Sequence, residues 1–219
     1  RESGKRWMRI AGIHDGVAFE YVCGTSSLPV GLVERRWLRV RSARRLRAVV
    51  RAGSVVAPGP TSRSIARRFF ATARPPLERL AFRGARPQVG VMAVPDGKVT
   101  TYRWGDAGDA PVVLLAHGWS GWAQQMEAFV APLVDRGFAV LAFDHVAHGL
   151  SDGATTSLPA MIRSTERVLE ETPNVVGAIA HSLGAGALAS VLASTRRSLA
   201  GAVLVAPRAA PLPYLLGLA

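Results

Sequence analysis

Three continuous apolar runs, each followed by a helical pattern, constrain the fold of this chain more than any other feature. The runs cover residues 111–116, 138–143 and 175–180. A strand that is apolar along its whole length is typical of a parallel sheet that is buried on both faces. Because the runs alternate with helical segments on short connections, they predict such a sheet with helices on both faces.

The rest of this pattern adds a hairpin and one more strand. Residues 89–94 and 99–104 flank Pro95-Asp96-Gly97-Lys98, and this arrangement predicts an antiparallel β-hairpin. Helices are predicted over residues 122–136, 157–171 and 182–194, and a last strand over residues 199–205. The predicted fold class is therefore α/β with a mostly parallel sheet.

The segment Ala180-His181-Ser182-Leu183-Gly184 joins a predicted strand to the helix after it. In a sharp strand-to-helix turn, the residues two before and two after the central serine must be small, as Ala180 and Gly184 are. Such a turn lifts the serine oxygen clear of the sheet and directs helix N–H groups toward it. The segment predicts a nucleophile at Ser182, whereas in an ordinary junction Ser182 would only cap the helix.

A second segment that could contribute to catalysis follows the first apolar run: His117-Gly118-Trp119-Ser120. Acyl transfer needs two N–H donors for the developing oxyanion, one after the nucleophile and one from a neighbouring loop. The backbone N–H groups of Leu183 and Trp119 are the candidates. Gly118 allows the backbone to approach closely.

The turn at residues 144–153 follows the next strand and opens at the same edge of the predicted sheet. His145 and His148 have the spacing of a metal-binding pair, but no spacing in the sequence supplies a third ligand. We therefore expect no metal and no cofactor. Hydrogen-bonding side chains are expected to shape the site instead, namely His117, Asp144, His148 and His181.

Residues 86–219 resemble the α/β-hydrolase fold family in four segments that occur in the family's order. The segments are Tyr102-Arg103-Trp104-Gly105, His117-Gly118-Trp119, Asp144-x-x-x-His148-Gly149-x-Ser151 and Ala180-His181-Ser182-Leu183-Gly184. The resemblance implies a serine nucleophile at Ser182, an oxyanion hole from Trp119 and Leu183, and acyl hydrolysis without metal or cofactor. Serine at the elbow is unlike the branches of the family that attack through aspartate.

The family places its triad acid and its histidine after later strands, in the chain order serine, acid, histidine. Only 37 residues follow Ser182, and no histidine follows His181. The resemblance therefore predicts a sheet that lacks its last two strands, and it leaves the triad acid and base unassigned. His145 or His148, oriented by Asp144 or Asp152, is the substitute base that the sequence offers.

Two further expectations follow from an early end of the fold. The strand at residues 199–205 would form an exposed apolar sheet edge that promotes oligomerisation or aggregation. Residues 214–218 would begin a lid helix.

These patterns predict a serine hydrolase that acts on a small-molecule carboxylic ester through an acyl-enzyme on Ser182. Its activity is expected to be impaired because the triad acid and histidine are absent. The alternative is a non-catalytic fragment or interaction protein whose basic N-terminal part binds an anionic partner. The two differ in whether Ser182 is chemically activated.

Residues 1–62 are interpreted as a basic extension, and residues 63–219 as a partial hydrolase domain with a helical lead-in. Residues 1–86 hold 19 basic and 5 acidic side chains against 8 and 10 in the remainder, so the net charge of +12 belongs to the N-terminal part. The pattern of this part indicates a helical or irregular segment that is disordered or not native. Basic helices are predicted over residues 33–51 and 63–82, the second packed on its own domain.

The composition also limits partners and location. No recognition motif interleaves the arginines, so binding to nucleic acid is not expected, while association with a membrane surface stays open. Cys23 is the only cysteine, which excludes an intrachain disulfide. No apolar run approaches the roughly 20 residues that span a bilayer, and a cytoplasmic location is the default expectation.

Overall fold

The computed structural model describes residues 7–14, 17–24, 40–105, 108–195 and 198–207, with residues 7–14, 17–24 and 40–47 described by their backbone alone. The chain forms two units. One comprises Arg1–Trp7 and Gly24–Ala71, and the other comprises Met8–Cys23 and Thr72–Ala219. The predicted lid helix at residues 214–218 lies outside the described residues.

Eight described strands form one sheet, in the order β1-β2-β8-β7-β5-β6-β4-β3. The strands are β1 (Trp7–His14), β2 (Val17–Gly24), β3 (Gln88–Val94), β4 (Gly97–Trp104), β5 (Val112–Ala116), β6 (Ala139–Phe143), β7 (Val175–His181) and β8 (Gly201–Val205). The α-helices are α1 (Val40–Val56), α2 (Pro58–Phe70), α3 (Val130–Val134), α4 (Leu158–Glu170) and α5 (Ser182–Ser194). Two 3-10 helices span Leu77–Leu80 and Ala123–Phe129.

The centre of the sheet is parallel, as the apolar runs predict. Leu114 of β5 lies opposite Leu141 of β6 on one side and Ala178 of β7 on the other, with all three strands parallel. β3 and β4 form the predicted antiparallel hairpin, and its turn is tighter than expected because Val94 already pairs with Gly97. The α/β prediction with a mostly parallel sheet is confirmed.

The two faces of the sheet support separate cores, because successive strand residues point to opposite sides. On one face, Leu114 and Phe143 belong to a cluster that includes Leu188 of α5 and Val168 of α4. On the other face, Leu115 belongs to a cluster with buried residues of β4, the second 3-10 helix and the start of α3: Tyr102, Trp104, Met126 and Val130. Helices therefore cover both faces, and the carboxyl ends of β5, β6 and β7 open at one edge.

The helix predictions hold for α4 and α5 and fail in part for residues 122–136. Ser157 caps α4 by accepting a hydrogen bond from the N–H of Ala160 at 3.3 Å. Residues 122–136 instead form a 3-10 helix followed by the short helix α3. Pro132 lacks an N–H group and lies in the first turn of α3, where an α-helix tolerates proline.

The expectation of an exposed edge at β8 is wrong for this sheet. β2 pairs with β8 in parallel, with Phe19 opposite Ala202 and Val22 opposite Val205. This pairing supplies hydrogen-bond partners to the backbone groups of β8 that an edge would leave open. The sequence did not reveal it because residues 1–60 show no clean periodicity.

The N-terminal helices occur near their predicted places. α1 ends at Val56, and α2 begins at Pro58, which is a favoured position for proline in a first turn. No residue of α2 is buried, and Ile65, Phe69 and Phe70 are exposed. That residues 63–82 pack on their own domain stays a prediction. None of the described helices is long and apolar enough to cross a membrane.

Candidate active site

The turn from β7 to α5 holds Ser182 in a backbone conformation that L-residues rarely adopt. Ser182 has a φ of 52°, although it is the first residue of α5. A non-glycine residue in the left-handed region costs free energy and persists where the surroundings enforce it. Two residues after Ser182, Gly184 lies close to the end of β5, since a Cβ there would lie 2.1 Å from the carbonyl oxygen of His117.

Positive φ angles recur along the same edge of the sheet. Besides Ser182, the described non-glycine residues with positive φ are Ser120, Ala147 and Ala206, at 53°, 66° and 46°. They follow β5, β6 and β8, so each of four parallel strands is followed by one such residue. Strained backbone clusters at functional sites, and its distribution here points to the carboxyl edge.

Gly118 brings the loop after β5 into direct contact with the elbow. A Cβ at this position would lie 2.8 Å from Ser182 Cβ, which is closer than real Cβ atoms approach, and a tight 3.1 Å from the carbonyl oxygen of His181. Only glycine allows this approach. Trp119 follows Gly118, and Leu183 follows Ser182, so their N–H groups come from the two segments in contact.

Asp144 is a buried carboxylate that ties three segments together. Its Oδ2 accepts hydrogen bonds from the Tyr102 hydroxyl at 2.8 Å and from the N–H of Leu150 at 2.9 Å, and its Oδ1 accepts one from the N–H of Ala123 at 2.7 Å. Burial raises the pKa of Asp144, and these donors oppose part of that shift. Asp144 therefore joins β4, the second 3-10 helix and its own turn.

Gly149 and Ser151 close this turn against the carboxylate. Gly149 has a φ of 45°, and a Cβ there would lie 2.0 Å from Asp144 Oδ2. The Ser151 hydroxyl donates to the carbonyl oxygen of Asp144 at 2.6 Å and accepts from the N–H of Thr100 at 2.8 Å. The backbone of the turn is thus fixed from both ends.

His117 and His148 are buried as neutral rings whose two nitrogens are both engaged. His117 Nδ1 donates to the carbonyl oxygen of Gly118 at 2.7 Å, and its Nε2 accepts from the N–H of His145 at 3.1 Å. His148 Nδ1 donates to the carbonyl oxygen of Val146 at 3.0 Å, and its Nε2 accepts from the N–H of Ser120 at 2.9 Å. One donor and one acceptor on each ring is the pattern of neutral imidazole.

Burial reinforces the neutral form of these rings. Desolvation lowers the pKa of His117 to about 4 and that of His148 to about 4. It lowers the pKa of the fully buried His145 ring well below its usual value, and the nearby His117 and His148 add to this effect. The rings of His117 and His148 therefore hold backbone N–H groups of the loops after β6 and β5.

None of these rings is placed as a base for Ser182. Among the described residues, no hydrogen bond joins a histidine ring to Ser182 Oγ, and neither His117 nor His148 has a free lone pair. The ring nitrogens of His145 are buried without a partner, and the ring packs edge-on against Phe143 at 4.6 Å. His181 is exposed beside the elbow, and partial burial lowers its pKa. The sequence-based substitutes His145 and His148 make no hydrogen bond to Ser182 among the described residues.

The site also contains residues that the sequence did not single out. Arg74 donates from its guanidinium to the carbonyl oxygens of Ser151 at 2.5 Å, Gly153 at 2.7 Å and Gly149 at 3.4 Å. The Thr72 hydroxyl donates to the carbonyl oxygen of Ala147, and the N–H of Ala73 reaches Ser120 Oγ at 3.4 Å. We call residues 72–74 the strap, because they bind the loops after β5 and β6. Their sequence carries no signal of this role, since the contacts reach across more than 40 residues.

No metal centre emerges from the His145 and His148 spacing. Within the described residues, no group of three or more His, Cys, Asp and Glu side chains could hold a metal ion. The engaged nitrogens of His117 and His148 give the physical reason, because a metal ligand needs a free lone pair.

Comparison with known proteins agrees with this architecture. The family model described as serine aminopeptidase, S33, matches residues 109–217, about half of the chain. Those residues include β5 to β8, the loop at Gly118, the Asp144 turn and the elbow. The chain belongs to the α/β-hydrolase fold family. No curated protein sequence matches it.

Several solved structures are similar to this α/β-hydrolase. The thioesterase domain from the curacin biosynthetic pathway is 22% identical with a TM-score of 0.48, over 53% of this chain and 42% of that one. A proline iminopeptidase-related protein from Thermus thermophilus is 24% identical with a TM-score of 0.47, over 56% and 45%. An esterase from Pyrococcus furiosus is 23% identical with a TM-score of 0.47, over 59% and 53%. The chain thus spans about half the length of these structures.

Replacing Arg74 tests the strap. Arg74→Met keeps the aliphatic stem but removes the donors to three carbonyl oxygens, and we expect it to lower the free energy of unfolding by about 1 kcal/mol. Hydrogen exchange at residues 147–153 should accelerate more than elsewhere in the sheet unit. The matched control is Arg79→Met, at an exposed arginine of the first 3-10 helix. Equal exchange in both variants would contradict the role of the strap.

The buried histidines predict that stability falls on acidification. Their pKa is lower in the folded state than the usual 6.5, so the unfolded chain binds more protons as pH falls below about 6.5. Stability that is complete above this pH is lost as pH falls toward the folded-state pKa. Asp144 acts in the opposite sense, because its pKa is raised and the folded state takes up its proton first.

His145→Leu isolates one of these groups. Leucine is similar in volume and has no ring nitrogens to leave unpartnered. The variant should be as stable as the parent at pH 7.5 and should reduce the slope of unfolding free energy against pH by up to about 1.4 kcal/mol per pH unit. Urea denaturation between pH 7.5 and 5.5 measures this. An unchanged slope would show that His145 is not buried neutral.

Proposed function

We propose that this chain is a serine hydrolase that cleaves carboxylic esters of small molecules through an acyl-enzyme on Ser182. The observation that carries the proposal is the contact of Gly118 with a Ser182 held at a φ of 52°. The contact supports the proposal because Trp119 and Leu183, whose N–H groups are the proposed donors, directly follow Gly118 and Ser182 in the chain. A buried structural serine would not require either the strain or the glycine.

In the proposed reaction, Ser182 Oγ forms a bond to the ester carbonyl carbon while its proton leaves to an acceptor. The carbonyl oxygen becomes an oxyanion, which the N–H groups of Trp119 and Leu183 stabilise. Collapse of this intermediate breaks the bond to the alcohol oxygen, which takes up a proton and departs. Water then attacks the acyl-serine and releases the carboxylic acid.

The proposed reaction needs a group that accepts the proton of the Ser182 hydroxyl. His117 and His148 use both ring nitrogens elsewhere, and His145 is enclosed by neighbouring rings. The proposed acceptor of the Ser182 proton is therefore water or a buffer base. An oxyanion hole and substrate binding alone retain on the order of 10³–10⁴-fold acceleration over water, so turnover should be slow.

Esters are favoured over amides as substrates because no general acid among the described residues is positioned to protonate the leaving group. A departing amine must be protonated during bond cleavage, whereas an activated alcohol leaves as its anion. The family description names an aminopeptidase, and one similar structure is a thioesterase, so peptide amides and thioesters are the competing substrate classes. Thioesters also have a good leaving group and rank next to activated esters.

The test is hydrolysis of p-nitrophenyl acetate by the parent chain and by Ser182→Ala. The parent should release nitrophenolate in a burst that matches acyl-serine formation, and Ser182→Ala should fall to the rate of solution hydrolysis. Added imidazole should increase the serine-dependent part of the rate by at least about 10-fold, because it supplies a general base. Intact-mass measurement should show an acetyl adduct on the parent only.

Ser190→Ala is the matched control, since Ser190 lies on the same helix and is exposed to solvent. It should retain the burst, the adduct and the imidazole effect. Equal rates in the parent and in Ser182→Ala would remove Ser182 from the mechanism. Faster cleavage of an alanine p-nitroanilide than of the ester would show that amides, not esters, are the substrate class, and would leave Ser182 as the nucleophile.

A further inference from the structure

The two N-terminal helices expose more apolar surface than a soluble helix pair ordinarily does. We call α1 and α2, residues 40–70, the basic hairpin. Its apolar side chains are largely accessible: Val49 is 68% exposed, Val55 84%, Val56 84%, Phe69 50%, Ile65 40% and Phe70 39%. Scattered exposed apolar residues are common, but six within one short segment suggest a contact surface.

The two helices meet each other through small side chains, and the large apolar side chains lie at the exposed surface. A Cβ at Gly53 would lie 2.6 Å from the Thr61 hydroxyl, so the backbone of α1 approaches α2 closely at this point. Val50, Ala57 and Thr61 are half-buried, whereas the larger side chains of α2 point to solvent. The rings of Phe69 and Phe70 contact each other edge-on with centroids 5.1 Å apart, yet both side chains stay exposed, as Ile65 does.

The charge of the same segment is entirely positive. Residues 40–70 contain eight arginines and neither Asp, Glu nor Lys. The arginines whose side chains are described are all exposed: Arg51, Arg63, Arg67 and Arg68. No acidic group within the hairpin neutralises them, so the surface is complementary to a strongly anionic partner.

On α2 the charges flank the apolar stripe in the arrangement of an interfacial helix. Ile65 and Phe69 are four residues apart and lie on one side, with Phe70 at the margin of the stripe. Arg63 and Arg68 fall on opposite margins of this stripe at 3.6 residues per turn. Long arginine side chains in these places can reach lipid phosphates while the rings enter the acyl boundary.

We propose that the basic hairpin docks this chain onto a bilayer surface rich in anionic phospholipid. Such a surface satisfies both features at once, because its phosphates pair with arginine and its acyl region takes up Ile65, Phe69 and Phe70. Nucleic acid would pair with the arginines but leave the valines and isoleucine in water. In this proposal the hairpin lies on the bilayer surface and does not span the bilayer, in keeping with the length and polarity of its helices. This inference goes beyond the proposed hydrolase chemistry and does not depend on it.

The experiment is flotation of the full chain with vesicles of neutral phosphatidylcholine, with and without one-third phosphatidylglycerol. The parent should float with the anionic vesicles and remain unbound with the neutral ones. Binding should weaken as salt is raised, because screening reduces the attraction of arginine to the surface. Equal binding to both vesicle types, or to neither, would overturn the proposal.

Two sets of variants separate charge from apolar insertion. Arg63→Gln, Arg67→Gln and Arg68→Gln together should reduce partitioning on the order of 100-fold. Ile65→Ser, Phe69→Ser and Phe70→Ser together should reduce it by at least about 10-fold while keeping the charge. All six positions are exposed, so circular dichroism and melting temperature should match the parent.

Matched controls come from the other unit. Arg79→Gln, Arg83→Gln and Arg86→Gln remove the same charge from exposed positions outside the hairpin, and Val89→Ser with Val91→Ser removes exposed apolar groups of β3. Both controls should bind vesicles as the parent does. A control that loses binding as strongly as the hairpin variants would overturn the assignment to the hairpin. Tight binding to a DNA duplex or single-stranded RNA without vesicle binding would overturn the choice of partner.

Discussion

The site depends on one steric constraint, the contact between the loop after β5 and the elbow after β7. Gly184 lies against the carbonyl oxygen of His117, and Gly118 lies against Ser182. Neither approach tolerates a Cβ, and Ser182 between them adopts the left-handed region. The parallel pairing of β5 with β7 makes this contact unavoidable, because it brings the ends of the two strands to one point.

The remaining polar groups keep these loops in place rather than supply reactivity. Asp144 collects donors from three segments, His117 and His148 hold backbone N–H groups on neutral rings, and the strap reaches the same loops from residues 72–74. Both ring nitrogens of His117 and His148 are engaged in this way. Their lone pairs are already used to fix the backbone that positions the serine.

The sequence predicted the parts of the molecule that obey local rules. Apolar runs indicated β5, β6 and β7, and the small residues around Ser182 indicated the elbow, because both patterns depend on near neighbours. It did not predict the pairing of β2 with β8, the strap at Arg74 or the partners of His148. These depend on contacts between distant residues, and arginines and histidines have no periodicity that reveals them.

The central claim is that Ser182 is a nucleophile whose attack generates an oxyanion beside the N–H groups of Trp119 and Leu183. A crystal structure of the chain after prolonged reaction with a small fluorophosphonate measures this most directly. The account predicts a covalent bond from Ser182 Oγ to phosphorus, with the phosphoryl oxygen about 2.7–3.1 Å from both backbone nitrogens. Modification of another residue, or a phosphoryl oxygen directed away from Trp119 and Leu183, would contradict it.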